Sequence, residues 1–542
     1  MTQKERMDLI HQEACDILPQ EAEQTLISQA EKQAERKGIS LHNDPAAPKS
    51  EDLSNDNQVM LQSFEWYLPD DGQHWDRIRE AAPSLRAIGV GGVWLPPCCK
   101  ATGTNDVGYG VYDLFDLGEF DQKGSVRTKY GTRRQLEAAI AALHEQGMQV
   151  YGDVVLNHKG GADETEIFRA VKVNPDNRQE EIAQPRDIKG WTRFTFPGRQ
   201  GRYSGFQWGF QHFIAVDHDD ITGENGIFRI LGENKGFSKN VDQDKGNFDY
   251  LMFADVDYRN KEAIEESIRW GEWFVKSLQL DGLRLDAIKH INASFISAFL
   301  REMRLRAGKQ LYCVGEYWHG DENLLAEYIG EAHDQLALFD VALHMNLHEA
   351  AAKGADYDLR QIFSGTLLEK NSFNVATFVD NHDTQPGQPL ESWVGESFKP
   401  LAYALILLRR DGYPCLFWGD YFGAGGQWPK PPLRGQLDPL LEARKTAAYG
   451  EQVDYFDDPR CIGWLRLGEA GRPGSGVAVV MSNAGDALKR MVFGELNKNT
   501  VWRDITGHNT QTVTLDDQGA ADFPCKGNSV SVYVRDQGSK QT

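Results

Sequence analysis

From Val59 onward, short apolar segments alternate with stretches of helical period, the sequence signature of βα units. The strand candidates are residues 59–66, 91–96, 149–157, 282–287, 311–318, 338–344, 375–382 and 413–420. Helices are predicted between them at 132–146, 262–278, 294–306 and 399–410; in the first, Leu136, Ala139, Ile140 and Leu143 recur at helical spacing. The strands are almost continuously apolar, which suits a parallel sheet buried on both faces. Eight such units in succession predict an α/β fold, a closed (β/α)8 TIM barrel with its active site at the C-terminal ends of the strands.

Two intervals break this rhythm. About 120 residues separate the third strand from the fourth, rich in Gly, Asn, Asp and aromatic residues and without helical period until Glu262. A connection that long is expected to be a domain of its own, loop-rich and β, with Trp191-Thr-Arg-Phe-Thr-Phe alternating like a strand. After about Gly450, segments at Ile462, Val477, Val501 and Val530 read as an antiparallel C-terminal β-sandwich domain. The expected organisation is therefore an N-terminal extension at 1–56, the barrel at 57–157 and 262–449, the inserted domain at 158–261, and the C-terminal domain at 450–542. Within the extension, the segments beginning at Met7 and Thr25 have the pattern of amphipathic helices, and Asn43-Asp-Pro-Ala-Ala-Pro reads as a linker. The pattern leaves open whether those helices pack on the main body or form a partner-binding arm.

Charge narrows the partners. With 58 Lys and Arg against 80 Asp and Glu, the formal charge is −22. That balance argues against nucleic acid and against anionic membranes, and suits a neutral substrate or a cation. Residues 1–30 hold no apolar run of signal-peptide type, and the longest run, 401–408, is far short of a membrane span. The seven cysteines (Cys15, Cys98, Cys99, Cys313, Cys415, Cys461 and Cys525) are odd in number and show no zinc spacing. They read as reduced thiols of a cytoplasmic protein.

Three predicted strands climb out of apolar sequence and end on carboxylates. The segments are Gly282-Leu-Arg-Leu-Asp-Ala-Ile-Lys-His290, Leu311-Tyr-Cys-Val-Gly-Glu316-Tyr-Trp318 and Val375-Ala-Thr-Phe-Val-Asp-Asn-His-Asp383. Retaining glycoside hydrolysis needs two carboxyl groups about 5–5.5 Å apart, one as nucleophile and one as acid/base. Asp286 suits the nucleophile, because Arg284 precedes it by two residues on the same side of the strand and is expected to lower its pKa. Glu316 suits the acid/base, with Tyr317 and Trp318 expected to hold it in a drier site. Asp383 is the third carboxylate, and His382 is placed to bond sugar hydroxyls.

These residues resemble a family. Tyr151-Gly-Asp-Val-Val-Leu-Asn-His158, Gly282–His290, Gly315-Glu-Tyr-Trp318 and Phe378-Val-Asp-Asn-His-Asp383 look like the four signature regions of α-amylases of glycoside hydrolase family 13, in the family's order. The likeness runs from about residue 57 to 538 and is nearest to the bacterial liquefying type and its intracellular relatives. It implies Asp286 as nucleophile, Glu316 as general acid/base and Asp383 as transition-state stabiliser. It also implies sugar contacts from Arg284, His158 and His382, a stacking platform at Tyr109, and a leaving-group-side pair at Lys289 and His290. Trp66 and Trp318 are further candidate contacts. One structural calcium is implied, held by Asn157, Asp249, Asp255 and the backbone carbonyl of His290.

The chain departs from its liquefying relatives where they carry aspartates of a second metal cluster. Here those positions hold Ile214, Ser238 and Arg259, leaving Asp257, so that cluster is expected to be absent unless Asp242 or Asp244 compensates. The expected activity is retaining endo-hydrolysis of α-1,4-glucosidic bonds in starch, glycogen or maltodextrin. The alternatives are a maltogenic or transglycosylating enzyme on maltooligosaccharides and, from another class, a silent glucan-binding scaffold. Oligomeric state is not legible.

Overall fold

The computed structural model describes residues 2–43 and 57–536. Eight parallel strands close a barrel: β1 Val59–Gln62, β2 Val90–Trp94, β3 Gln149–Val154, β4 Gly282–Leu285, β5 Tyr312–Gly315, β6 Ala337–Phe339, β7 Val375–Phe378 and β8 Tyr413–Phe417. Each lies inside or overlaps its predicted segment. Most stop several residues early, because the C-terminal part of each segment leaves the ladder to become active-site loop. The 338–344 expectation is corrected more sharply. His344 lies in a helix, Val341–Lys353, because the Asp340 carboxylate accepts from the Leu343 amide at 2.9 Å and caps a helical turn directly after β6. The barrel interior is filled rather than hollow: a Cβ on Gly92 would lie 2.5 Å from the Tyr151 hydroxyl, so a tyrosine on β3 takes that space.

Helices Arg133–Glu145, Lys261–Leu278, Ala293–Ala307 and Lys399–Leu407 follow barrel strands or the insertion. The first opens with a reciprocal Thr132/Gln135 cap, and the second and third are capped by Asn260 and Asn292.

Between β3 and β4 the chain forms an antiparallel sheet in the order Arg186–Arg193, Glu164–Val173, Glu224–Ile230, Ala215–Asp219. Trp191 is on its first strand. A second, two-stranded ribbon pairs His158 with Asp255 and Lys159 with Ala254. That ribbon brings the end of β3 against the end of the insertion. Beyond residue 450, a six-stranded sheet and the pair Ala487–Val492 with Ala520–Cys525 enclose Leu465, Val480, Met491, Trp502 and Phe523.

Two N-terminal helices, α1 (Gln3–Ala14) and α2 (Gln20–Arg36), pack on helix Ala293–Ala307 of the barrel wall. Ile10 and Ala14 are fully buried and Met7 nearly so, the burial of Ile10 alone contributing about 1.5–3 kcal/mol. Past α2, the Asn43 side-chain oxygen accepts from the Cys313 amide at 2.8 Å, at the start of β5. The predicted linker beyond Asn43 lies outside the described residues. No helix among the described residues is long and apolar enough to cross a membrane, and all seven cysteines are free thiols.

Candidate active site

Parallel register decides which side chains meet. β4 lies between β3 and β5, with Arg284 opposite Asp153 on one side and Val314 on the other. The Arg284 guanidinium, almost wholly buried, donates to Asp286 Oδ1 at 2.7 Å and to Asp153 at 3.1 and 3.2 Å, and lies 2.8 Å from Glu316 Oε2. It also lies over the Trp94 ring, 4.7 Å from its centroid. One planar fork thus holds three carboxylates, a geometry that lysine's point charge does not reproduce.

Burial changes the acid/base balance expected from sequence. The Asp286 carboxyl is pushed up to about 6 by desolvation; Arg284 pulls it down and Asp153 adds to the rise. The expectation of a lowered pKa is therefore corrected: the attraction of Arg284 is real, but desolvation exceeds it. Glu316 is also raised, first by burial and then by Asp286, against the pull of Arg284. Its Oε1 is buried without a hydrogen-bond partner, while Oε2 accepts from the Ala287 amide at 3.3 Å. Tyr317 turns its hydroxyl to Asp242 at 2.8 Å. Asp383 is raised well above the carboxylate range by burial and by Glu316 and Asp286. Ala287 follows Asp286 with φ 49°, a left-handed conformation that costs a non-glycine residue energy and is held here by the packed loop.

Aromatic rings form one wall. Tyr109 stacks on His382 at 4.9 Å and 11°, and Trp66 lies parallel to Tyr109 at 6.3 Å and 3°. Gln62 Nε2 donates to His382 Nδ1 at 3.0 Å, which leaves the ring proton on Nε2, 3.5 Å from Asp383 Oδ2. Burial and Arg284 keep this histidine neutral. His158 donates through Nε2 to the Tyr109 carbonyl at 2.8 Å and is also kept neutral, lowered to about 4 by burial. Lys289 Nζ donates to the Trp318 carbonyl at 3.2 Å. The His290 ring instead packs edge-on against Phe248 and donates to its carbonyl at 2.6 Å. Sequence reasoning missed Asp153, Trp94 and Gln62. Asp153 had a signal, since it is a lone carboxylate inside the apolar run of the third strand.

Behind this wall lies a second cluster. Asn157, Asp249 and His290 line a small cavity, with Asp255 opposite His158 in the adjoining ribbon. Asn157 Oδ1 and Asp255 Oδ2 are buried with no hydrogen-bond partner. Asp249 accepts from the Ser238 amide at 2.7 Å yet is pushed up to about 7 by burial, and Asp255 is raised further by burial and by Asp249. Buried oxygens that lack donors and repel one another fit a hard cation. Nearby Asp257 is paired with Lys235 at 2.9 Å and Arg259 at 3.1 Å. Asp242, Asp244 and His319 bring ligand atoms within 4.8 Å of one another, and Lys289 lies 3.8 Å from Asp244.

The family model "Alpha amylase, catalytic domain" matches residues 58–220 and 236–464, well over half of the chain. The chain belongs to the α-amylase family. It is a glycoside hydrolase of that family, and similar over most of its length to bacterial members. It is 48% identical over 479 residues to a glucan 1,4-alpha-maltohexaosidase of Bacillus sp. (strain 707), covering 88% of this chain and 92% of that one. It is 46% identical over 490 residues to a cytoplasmic alpha-amylase of Escherichia coli (strain K12), covering 88% and 99%. Among solved structures, the alpha-amylase from Geobacillus thermoleovorans complexed with acarbose superposes with a TM-score of 0.60 at 17% identity, over 90% of this chain and 99% of that one. At that identity the likeness shows the α-amylase fold alone.

Proposed function

We propose that this α-amylase cleaves internal α-1,4-glucosidic bonds of starch, glycogen or maltodextrin with retention, Asp286 acting as nucleophile and Glu316 as acid/base. The observation that carries the reading is Arg284, which reaches Asp286 Oδ1 and Glu316 Oε2 through adjacent nitrogens. Such bridging gathers the two carboxyl groups around one guanidinium, which supports their reading as the pair that a retaining mechanism uses.

In the first step protonated Glu316 gives its proton to the glycosidic oxygen while the Asp286 carboxylate attacks the anomeric carbon and the C–O bond breaks. The ionised Glu316 then takes a proton from water, whose oxygen displaces Asp286. Asp383 and His382 face the same sugar, and Tyr109 with Trp66 supplies a flat apolar surface for pyranose faces. We assign Arg284, His158, Lys289 and Trp318 to the same substrate groove. For His290 the roles divide: its ring is engaged with Phe248, and its carbonyl joins Asn157, Asp249 and Asp255 in the calcium set. A cation held by these residues would contribute structurally, since they come from the end of β3, the insertion and the loop after β4. A cytoplasmic location is supported by seven free thiols and by the similarity to the cytoplasmic alpha-amylase of Escherichia coli.

Maltoheptaose is the test substrate. Shorter maltooligosaccharides released first as α-anomers, followed by proton NMR before mutarotation, are the expected products. β-Anomers would sink the retaining assignment, and products longer than the substrate would move the enzyme to the transglycosylating class.

The carboxyl shifts also set the pH profile. Asp286 must be ionised to attack, so kcat/KM is expected to fall as pH drops through about 6. Its alkaline limb belongs to the loss of the Glu316 proton. Arg284→Lys keeps the charge but not the fork, so the downward pull on Asp286 weakens and the acid limb moves to higher pH. An unmoved limb in that variant would separate Arg284 from the titration of Asp286.

A further inference from the structure

α1 ends against the loops that carry the proposed calcium ligands, and two of its contacts reach them from different sides. The first runs through Asp16, two residues beyond the helix. Its carboxylate accepts from Asn292 Nδ2 and from the Ser294 hydroxyl, both at 2.9 Å. Asn292 caps helix Ala293–Ala307 through its other side-chain atom, accepting from the Phe295 amide at 2.9 Å. The same Asn292 amide nitrogen lies 3.1 Å from Ser238 Oγ. Ser238 in turn donates its backbone N–H to Asp249 at 2.7 Å. Asn292 is two residues after His290, so this chain of bonds spans two of the proposed ligands.

The second contact runs through His11. Its Nε2 donates to the Arg259 carbonyl at 2.8 Å, four residues after Asp255. The Arg259 side chain holds Asp257 at 3.1 Å and also donates to the Gly236 carbonyl. Asp8 pairs with Lys261 on the same segment. A buried, bidentate Glu13–Arg301 pair, at 3.1 and 2.5 Å, fixes the helix that presents these groups. Removing one partner of such a pair leaves the other charge buried and uncompensated.

We propose that α1 is a positioning element for the calcium site, with Asp16 and His11 as positioning residues that hold the loops at 290–294 and 257–261 in the arrangement that gathers the ligands. The inference rests on the proposed calcium set. Outlying partners of metal ligands govern affinity because they fix the ligands before the metal arrives, so no ordering cost is left for binding. The family match begins at residue 58, so this device lies in a part of the chain outside the matched catalytic region.

Full-length protein tests it by competition with a calcium chelator dye, giving a Kd for wild type, Asp16→Ala, His11→Ala and Asp16→Asn. Asp16→Ala and His11→Ala are each expected to weaken calcium binding by about tenfold, the low end for indirect partners. Asp16→Asn keeps one acceptor oxygen and should recover part of the loss. Leu26→Ala is the control, since Leu26 is buried in α2 and has no hydrogen bond to these loops. It should lower the melting temperature with the calcium Kd unchanged. Wild-type Kd values in Asp16→Ala and His11→Ala would overturn the proposal while leaving the calcium set intact. No calcium binding by wild type would instead remove the calcium set itself.

Discussion

Asp286→Asn is expected to lower kcat on maltoheptaose by on the order of 10⁴-fold or more, the scale of losing a covalent nucleophile, while the protein stays folded. The substitution is nearly isosteric, and its amide oxygen can still accept from Arg284 where Asp286 Oδ1 does so now at 2.7 Å. Thermal stability should hold or rise, because the native carboxylate is disfavoured by burial and by Asp153. Loss of activity with retained stability is the signature of a group kept for chemistry. Glu316→Gln should behave differently, falling by about 10²–10⁴-fold on maltoheptaose and much less on an α-glycosyl fluoride, whose leaving group needs no proton. A substantial rate in Asp286→Asn would transfer the nucleophile to another carboxylate, and Asp153, also held by Arg284, would be the first to examine. Equal losses for Glu316→Gln on both substrates would remove Glu316 from the acid role.

The barrel was legible because each strand is an apolar run whose inward and outward faces are both buried, so hydrophobicity alone marks it. Its boundaries were less so. At 338–344 the apolar run continues through Val341, Ala342 and Leu343 into a helix, and only the capping geometry of Asp340 separates the two. The carboxylates on β4, β5 and β7 stood out as charges at the ends of apolar segments. Asp153 sits inside its apolar segment, its role depends on lying opposite Arg284 across the sheet, and register between strands more than a hundred residues apart is not written in local sequence. The Asp286 shift failed for a related reason. Arg284 is a sequence neighbour and visible; the depth of burial and the charge of Asp153 belong to the assembled barrel. The packing of α1 was equally hidden, since its partners Arg301, Asn292 and Arg259 become neighbours only after the insertion and the helix after β4 are in place.

Calcium removal should produce the other large effect, and it should appear as stability before it appears as chemistry. Asn157 Oδ1 and Asp255 Oδ2 lack donors, burial raises the pKa of both Asp249 and Asp255, and the Asp249 charge raises Asp255 further. A cation there would remove these penalties, and it would bind only where the fold has assembled the ligands. At a concentration about 1,000 times Kd, such a ligand stabilises by about 4 kcal/mol. At about 2 °C per kcal/mol for a large domain, excess chelator should lower the melting temperature by roughly 8 °C. Activity should fall with it, because Asn157 and His158 are adjacent at the end of β3 and Lys289 and His290 at the end of β4. Asp255→Asn distinguishes a specific site from general ionic effects. It relieves the repulsion with Asp249 but removes a charged ligand, so the variant should be about as stable with chelator as without. A variant that still loses as much stability on chelation as wild type would place the cation elsewhere, and Asp242, Asp244 and His319 would then be the next group to substitute.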